Sequence, residues 1–170
     1  MRAGVWGARH PMGMGDQMRR WLGLGGASAP PGDIAFLAEK LRLSAAEIRP
    51  LVAAGDWIAV PEGAHLTDEG ARPEALLFLA EGEVDVLRLG ERVARVGRGN
   101  FVGEMAMLEA DAVASATSVV RVAVRAFCLP YDALPALEQA APRAFGALQG
   151  AIARDLRLKI VAQNVRSSGI

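Results

Sequence analysis

Between Gly97 and Thr117 the chain reads GRGNFVGEMAMLEADAVASAT. Its centre, Phe101-Val102-Gly103-Glu104-Met105-Ala106-Met107-Leu108, joins a glycine turn to one acidic residue and one apolar helical turn. Such a stretch can aim backbone N–H groups at an anion, because the start of a short helix carries unpaired donors and partial positive charge. Gly103 admits a close backbone approach that a Cβ would block. Glu104 cannot favour a phosphate. It belongs with a hydroxyl of the same ligand, such as a ribose hydroxyl, or it is an exposed acid that favours the helix dipole. Ser115 and Thr117 either cap backbone or face the anion.

This run resembles the phosphate-binding cassette of the cyclic nucleotide-binding domain family, to which catabolite activator proteins and cyclic-nucleotide-gated channels belong. The family pattern runs F-G-E-x-A-L-L and then, after a few residues, R-x-A-[ST]. Gly103, Glu104, Ala106, Met107 and Leu108 match its first half, Ala116 and Thr117 match its end, and Ser115 falls where many members carry serine. Val60-Pro61-Glu62-Gly63, Asp68-Glu69-Gly70 and the run from Leu77 to Val86 are similar to the family's approach strands and glycine turns. The resemblance covers about Asp33 to Gln163. It implies a mainly β fold, an antiparallel jelly roll with flanking helices and a long C-terminal helix. It also implies a regulatory sensor module for cAMP or cGMP rather than an enzyme. The ligand contacts it implies are Phe101, Gly103, Glu104, Met105, Ala106, Ala114, Ser115, Ala116 and Thr117.

One departure bears on affinity. The family's phosphate-pairing arginine should fall at Ala114, and from Gly99 to Thr117 there is no Lys or Arg, while Glu104, Glu109 and Asp111 are acidic. A charge-assisted hydrogen bond is worth about 1.5–3 kcal/mol, so its loss weakens phosphate binding by roughly ten- to a hundredfold. Arg72, Arg88, Arg92, Arg95, Arg98, Arg121 and Arg125 read as a solvated barrel face, from which one could swing in as a replacement. The sequence does not choose among them. The alternative is a ligand-free descendant of the fold that serves as a dimerisation or protein-interaction module.

Composition sets the frame. A chain of 170 residues, 52% hydrophobic, is long enough for one domain with a proper core. Lys+Arg 19 against Asp+Glu 19 leaves no net charge, so nothing global favours nucleic acid or an anionic membrane. A single cysteine, Cys128, excludes an internal disulfide framework and predicts a cytoplasmic location, with the thiol buried in its apolar run. His10 and His65 are the only histidines and lie far apart, so no metal or cofactor site is predicted. There is no Gly-x-Ser-x-Gly elbow and no Walker loop. No apolar run approaches the roughly 20 residues of a membrane-spanning helix.

In chain order, residues 1–32 read as a locally basic tail and linker, rich in Gly, Met and Pro. Its segment Gln17 to Leu24 is either a short amphipathic anchor or plain extension. Residues 33–165 form the predicted cyclic nucleotide-binding-like domain, and 166–170 a C-terminal tail. The spacing of Ile34, Leu37 and Leu41 predicts a helix from Asp33 to Leu43. Ser44-Ala45-Ala46-Glu47 is a capping box and predicts a second helix from Ala45, kinked or broken at Pro50. From Asp56 the period becomes two. Strands are predicted at 57–60, 64–67, 76–82, 83–86, 92–96, 116–121 and 122–129, with a type II′ hairpin at Gly90-Glu91. Many short strands at regular turn spacing argue for an antiparallel jelly roll over about Asp56 to Leu129. A short helix at 130–138 precedes a long one from Pro142 to about Asn164. On that helix Phe145, Leu148, Ile152, Leu156 and Ile160 form a stripe that either packs on the chain's own barrel or makes the seam of a homodimer. The six residues after Asn164 leave no room for a helix-turn-helix, so no direct DNA binding is predicted.

Overall fold

The computed structural model describes residues 29–109 and 111–167. The expected tail therefore lies almost wholly outside the described residues. Helix α1 (Pro31–Leu41) opens on a proline, where a missing N–H costs nothing, and stops at Arg42 in the left-handed region, φ +57°. The capping box forms as expected: Ser44 N–H donates to the Glu47 carboxylate at 2.8 Å, and Glu47 N–H donates to Ser44 Oγ at 3.2 Å. Yet it caps only a single turn. Helix α2 (Arg49–Ala54) begins afresh with Pro50 in its first turn. Proline cannot donate to the carbonyl four residues back, so of the two outcomes expected at Pro50, a kink or a break, the chain takes the break.

The strands form one antiparallel sheet, curled into a jelly-roll-like body and flanked by helices. They are β1 (Asp56–Val60), β2 (His65–Thr67), β3 (Ala75–Arg88), β4 (Glu91–Gly97), β5 (Phe101–Val102) and β6 (Thr117–Pro130), in the order β1-β6-β3-β4. In addition β2 pairs with β6 and β5 with β3. Two pairs of expected short strands are thus two continuous strands, β3 and β6. They bend rather than break, because their mutual register slips between Leu79 and Val84. Gly82 permits the bend. It has φ +96°, and a Cβ there would lie 2.4 Å from the Ala123 carbonyl oxygen. The hairpin also differs from expectation. Arg88 pairs with Glu91, so Leu89-Gly90 is the two-residue turn. Positive φ at both Leu89 (51°) and Gly90 (82°) is the type I′ signature, not type II′. Leu89 tolerates that backbone with its side chain almost wholly in water.

Two apolar cores result. Inside the roll, Ile58, Leu66, Leu77, Leu79, Val84, Val120, Val124 and Cys128 pack together. Burial pushes the Cys128 thiol far up, so it is an inert core group as expected. On the outer face Trp57, Phe78, Phe101, Phe127 and Leu129 pack against the helices. A 3-10 turn (Tyr131–Ala133), α3 (Met105–Leu108), α4 (Leu134–Ala140) and α5 (Pro142–Ser167) complete the described elements. The α5 stripe lands on this second core. Leu148 and Ile152 are fully buried there, with Phe145 and Leu156 partly buried beside them. Leu148 and Ile152 are thus spent on the chain's own core and cannot face a second copy, and the Ile160 side chain lies outside the described set. Lys40 on α1 pairs with the buried Asp155 on α5 at 2.7 Å, fastening the two helices. No helix among the described residues is long and apolar enough to cross a membrane.

Candidate functional site

The cassette hangs from β3. Strand β5 lays Phe101 opposite Phe78 and Val102 opposite Leu77. Both are buried, so Phe101 is a core residue under the cassette rather than part of its surface. The chain then turns at Gly103 with φ +80°. A Cβ there would sit 2.7 Å from the Ala75 carbonyl oxygen and 3.6 Å from Pro73 Cβ. Glycine is required twice, once for the dihedral and once for the approach. The Gly103 carbonyl accepts a hydrogen bond from the Tyr131 hydroxyl. Tyr131 also donates its backbone N–H to the Glu74 carbonyl at 3.1 Å. One residue therefore ties the cassette turn and the neighbouring 73–75 segment to the lead into α4 and α5. Burial, and next the charge of Glu104, push the Tyr131 phenol pKa well up, so the hydroxyl stays a proton donor.

Glu104 is 8% exposed, which removes its reading as a solvated helix acid. Its carbonyl accepts from Met107 N–H at 3.0 Å as α3 begins. That helix is a single turn of four residues, with Met105 exposed and Ala106 half-buried. Glu109 and Asp111 are exposed, so water screens the like charge they bring.

Beyond them the chain returns as a limb against the roll. Ala114 N–H donates to the Ala71 carbonyl at 2.8 Å, and the Ala114 carbonyl accepts from Gly70 N–H at 2.9 Å. Ala114 is buried, Ser115 exposed, Ala116 and Thr117 half-buried. Thr117 Oγ1 accepts from Glu69 N–H at 3.0 Å, so this hydroxyl caps backbone. Thr67 Oγ1 lies 3.1 Å from the Ala116 carbonyl and 3.0 Å from Ser118 Oγ. With one proton, it donates to the carbonyl and accepts from Ser118.

Segment 70–75 thus touches the cassette at both ends, Ala71 at Ala114 and Ala75 at Gly103. It brings the two halves of the predicted site into one body. Sequence reasoning noticed Gly70 but not the segment. It also missed Thr67, Ser118 and Tyr131, although Tyr131 is the only tyrosine in the chain. Among the described residues no group of His, Cys, Asp and Glu is placed to hold a metal ion.

Residues 57–140 match the family model of the cyclic nucleotide-binding domain. With the jelly-roll-like sheet, the flanking helices and the cassette in place, this part of the chain belongs to that family. Solved structures agree. A cyclic nucleotide-binding domain from Methylobacillus flagellatus KT superposes with a TM-score of 0.73 at 25% identity, covering 84% of this chain and 85% of that one. The catabolite activator protein of Thermus thermophilus gives 0.61 at 24% identity, covering 75% of this chain and 63% of that one. The regulatory domain of Toxoplasma gondii PKA, crystallised with cAMP, gives 0.55 at 26% identity, over 68% of this chain and 49% of that one. The chain thus spans less than two thirds of the latter two. No curated protein sequence matches it significantly.

Proposed function

We propose that the chain is a regulatory sensor module that binds cAMP or cGMP weakly through this cassette and signals through α5. The observation that carries the reading is the Gly103 turn, held at φ +80° against Ala75 where no Cβ fits. A backbone kept bare in this way suits the close approach of a phosphate. Glu104 serves the ribose, and Gly103 with the 114–116 limb serves the phosphate. Signalling follows the Tyr131 bond, which joins the Gly103 carbonyl to the turn before α4 and α5. The domain acts by binding and not by catalysis, in the cytoplasm, without contacting DNA itself.

Calorimetric titration of the wild type with cAMP, cGMP and cyclic di-GMP tests this. Weak binding of one cyclic mononucleotide is expected. Silence with all three at millimolar concentration favours a second reading, in which the domain has lost its ligand and serves only as an interaction module. That reading draws on the burial of Glu104 and Ala114.

Self-association through α5 belongs to the same proposal, with its seam moved. Since Leu148 and Ile152 are used by the chain's own core, we place the contact at Leu158, whose side chain is 69% exposed. Leu158→Asp is expected to lower the mass seen by light scattering from dimer to monomer without changing the melting temperature. A wild type that is monomeric at high concentration refutes the seam.

A further inference from the structure

We propose that Arg88 supplies the phosphate-pairing charge that the cassette lacks at Ala114. The inference rests on reading the cassette as a cyclic-phosphate site, and it names the cation that sequence could not choose.

Register selects it. Strands β3 and β6 pair without irregularity from Val84 with Val120, through Asp85 with Val119 and Val86 with Ser118, to Leu87 with Thr117. Val84 and Val120 lie in the core inside the roll. Side chains alternate along a strand, so Val86 and Ser118 share that inner face, and Arg88 follows them on it. Asp85, Leu87 and Thr117 take the other face. One step past the last pair, Leu87 with Thr117, Arg88 ends β3 where the 114–116 limb bends into β6. A long side chain there reaches along the limb from the strand end.

A second observation holds this strand end against the start of β6. Glu69 donates its N–H to Thr117 Oγ1 at 3.0 Å, and its carboxylate accepts from Leu89 N–H at 2.9 Å. This latch holds the end of the β3–β4 hairpin against the cassette limb, immediately beside Arg88. The type I′ turn at Leu89-Gly90 makes Arg88 the last residue of its strand.

Arg88 is also uncommitted. It is exposed and has no ion pair among the described residues. Four of the other barrel arginines are engaged. Arg95 pairs with Asp85 at 2.8 Å, Arg121 lies 3.8 Å from Glu83, and Arg125 holds Asp33 and Glu81. Arg98 stacks 3.6 Å over the Phe36 ring, and Arg92 is exposed on β4, which pairs with β3 and not with β6. Arg72, on the 70–75 segment, is exposed near the cassette and makes the natural control.

The test titrates cAMP and cGMP into the full chain as wild type, Arg88→Ala, Arg72→Ala, and Arg88→Ala combined with Ala114→Arg. Arg88→Gln keeps the side-chain stem and replaces the alanine variant if that one unfolds. Removing Arg88 is expected to weaken binding roughly tenfold and to flatten its salt dependence. Removing Arg72 should change it less than about twofold, and Ala114→Arg should restore what Arg88→Ala loses. A wild type that binds while Arg88→Ala binds equally well overturns the proposal and leaves the site reading intact. A loss on Arg72→Ala instead assigns the charge to Arg72 and overturns it too. If the wild type binds neither nucleotide at millimolar concentration, the site reading fails and this proposal fails with it.

Discussion

Ala114→Arg should bind cAMP or cGMP roughly ten- to a hundredfold more tightly than the wild type. The backbone at this position is already pinned by two hydrogen bonds to Gly70 and Ala71, so a new side chain starts from a fixed origin beside the cassette. Ala114 is buried, and a guanidinium there meets a phosphate in a less watery place than the exposed Arg88. Its planar fork also matches phosphate oxygens in a way that an ammonium cannot. Ala114→Lys should therefore gain less. Without nucleotide the new charge is partly desolvated and lacks a phosphate partner, so the free variant should melt below the wild type and recover when nucleotide is added. Calorimetry for affinity and a thermal melt with and without ligand check both halves. An arginine variant with no gain in affinity means that the pocket itself has been lost.

Gly103→Val should abolish nucleotide binding and destabilise the domain by about 2–4 kcal/mol. Two costs combine. The backbone sits at φ +80°, where a β-branched side chain is strained, and the new Cβ would press within 2.7 Å of the Ala75 carbonyl oxygen. That oxygen is backbone of β3, so it cannot swing aside as a flexible side chain would. Gly63→Ala separates the two effects. Its φ is +86°, but the space around it is open, so it should cost only about 1 kcal/mol from the dihedral. Urea unfolding of the two variants reads the difference. Equal losses would show that the Ala75 contact carries no weight.

The fold was largely legible because glycines and period-two runs mark turns and strands locally. Gly90 marked a hairpin turn and Gly103 a close backbone approach, and both have positive φ. What misled was continuity. A bend at Gly82 reads in sequence like a strand end, yet β3 continues through it, because its partner β6 bends with it. Pro50 was the opposite case: its absent N–H announced a kink or break after the capping box, and the helix does begin afresh there. The α5 stripe was visible as a stripe, but not what it faces. Only the position of α1 and the outer face of the sheet shows that Leu148 and Ile152 are used internally.

The site was half legible. Gly103 and Glu104 stood out by residue type and spacing, and the empty arginine position stood out by its absence. Segment 70–75, the Thr67–Ser118 hydroxyl pair and Tyr131 carry no local mark. They reach the cassette through pairings far apart in sequence, as Tyr131 does across 28 positions to Gly103. The same holds for Arg88, which looks like any surface arginine until the register of β3 on β6 is known.

The most direct test of the central claim is amide chemical-shift mapping of the isotope-labelled wild type during titration with cAMP and with cGMP. The cassette should respond first, with saturable shifts at Gly103, Glu104, Met105 and Ala106 and along Ala114 to Ser118. Smaller shifts should follow at Tyr131 and into α5. No shift at Gly103 or Glu104 in millimolar nucleotide, or shifts confined to residues outside the cassette and its limb, would contradict a nucleotide site built on this turn.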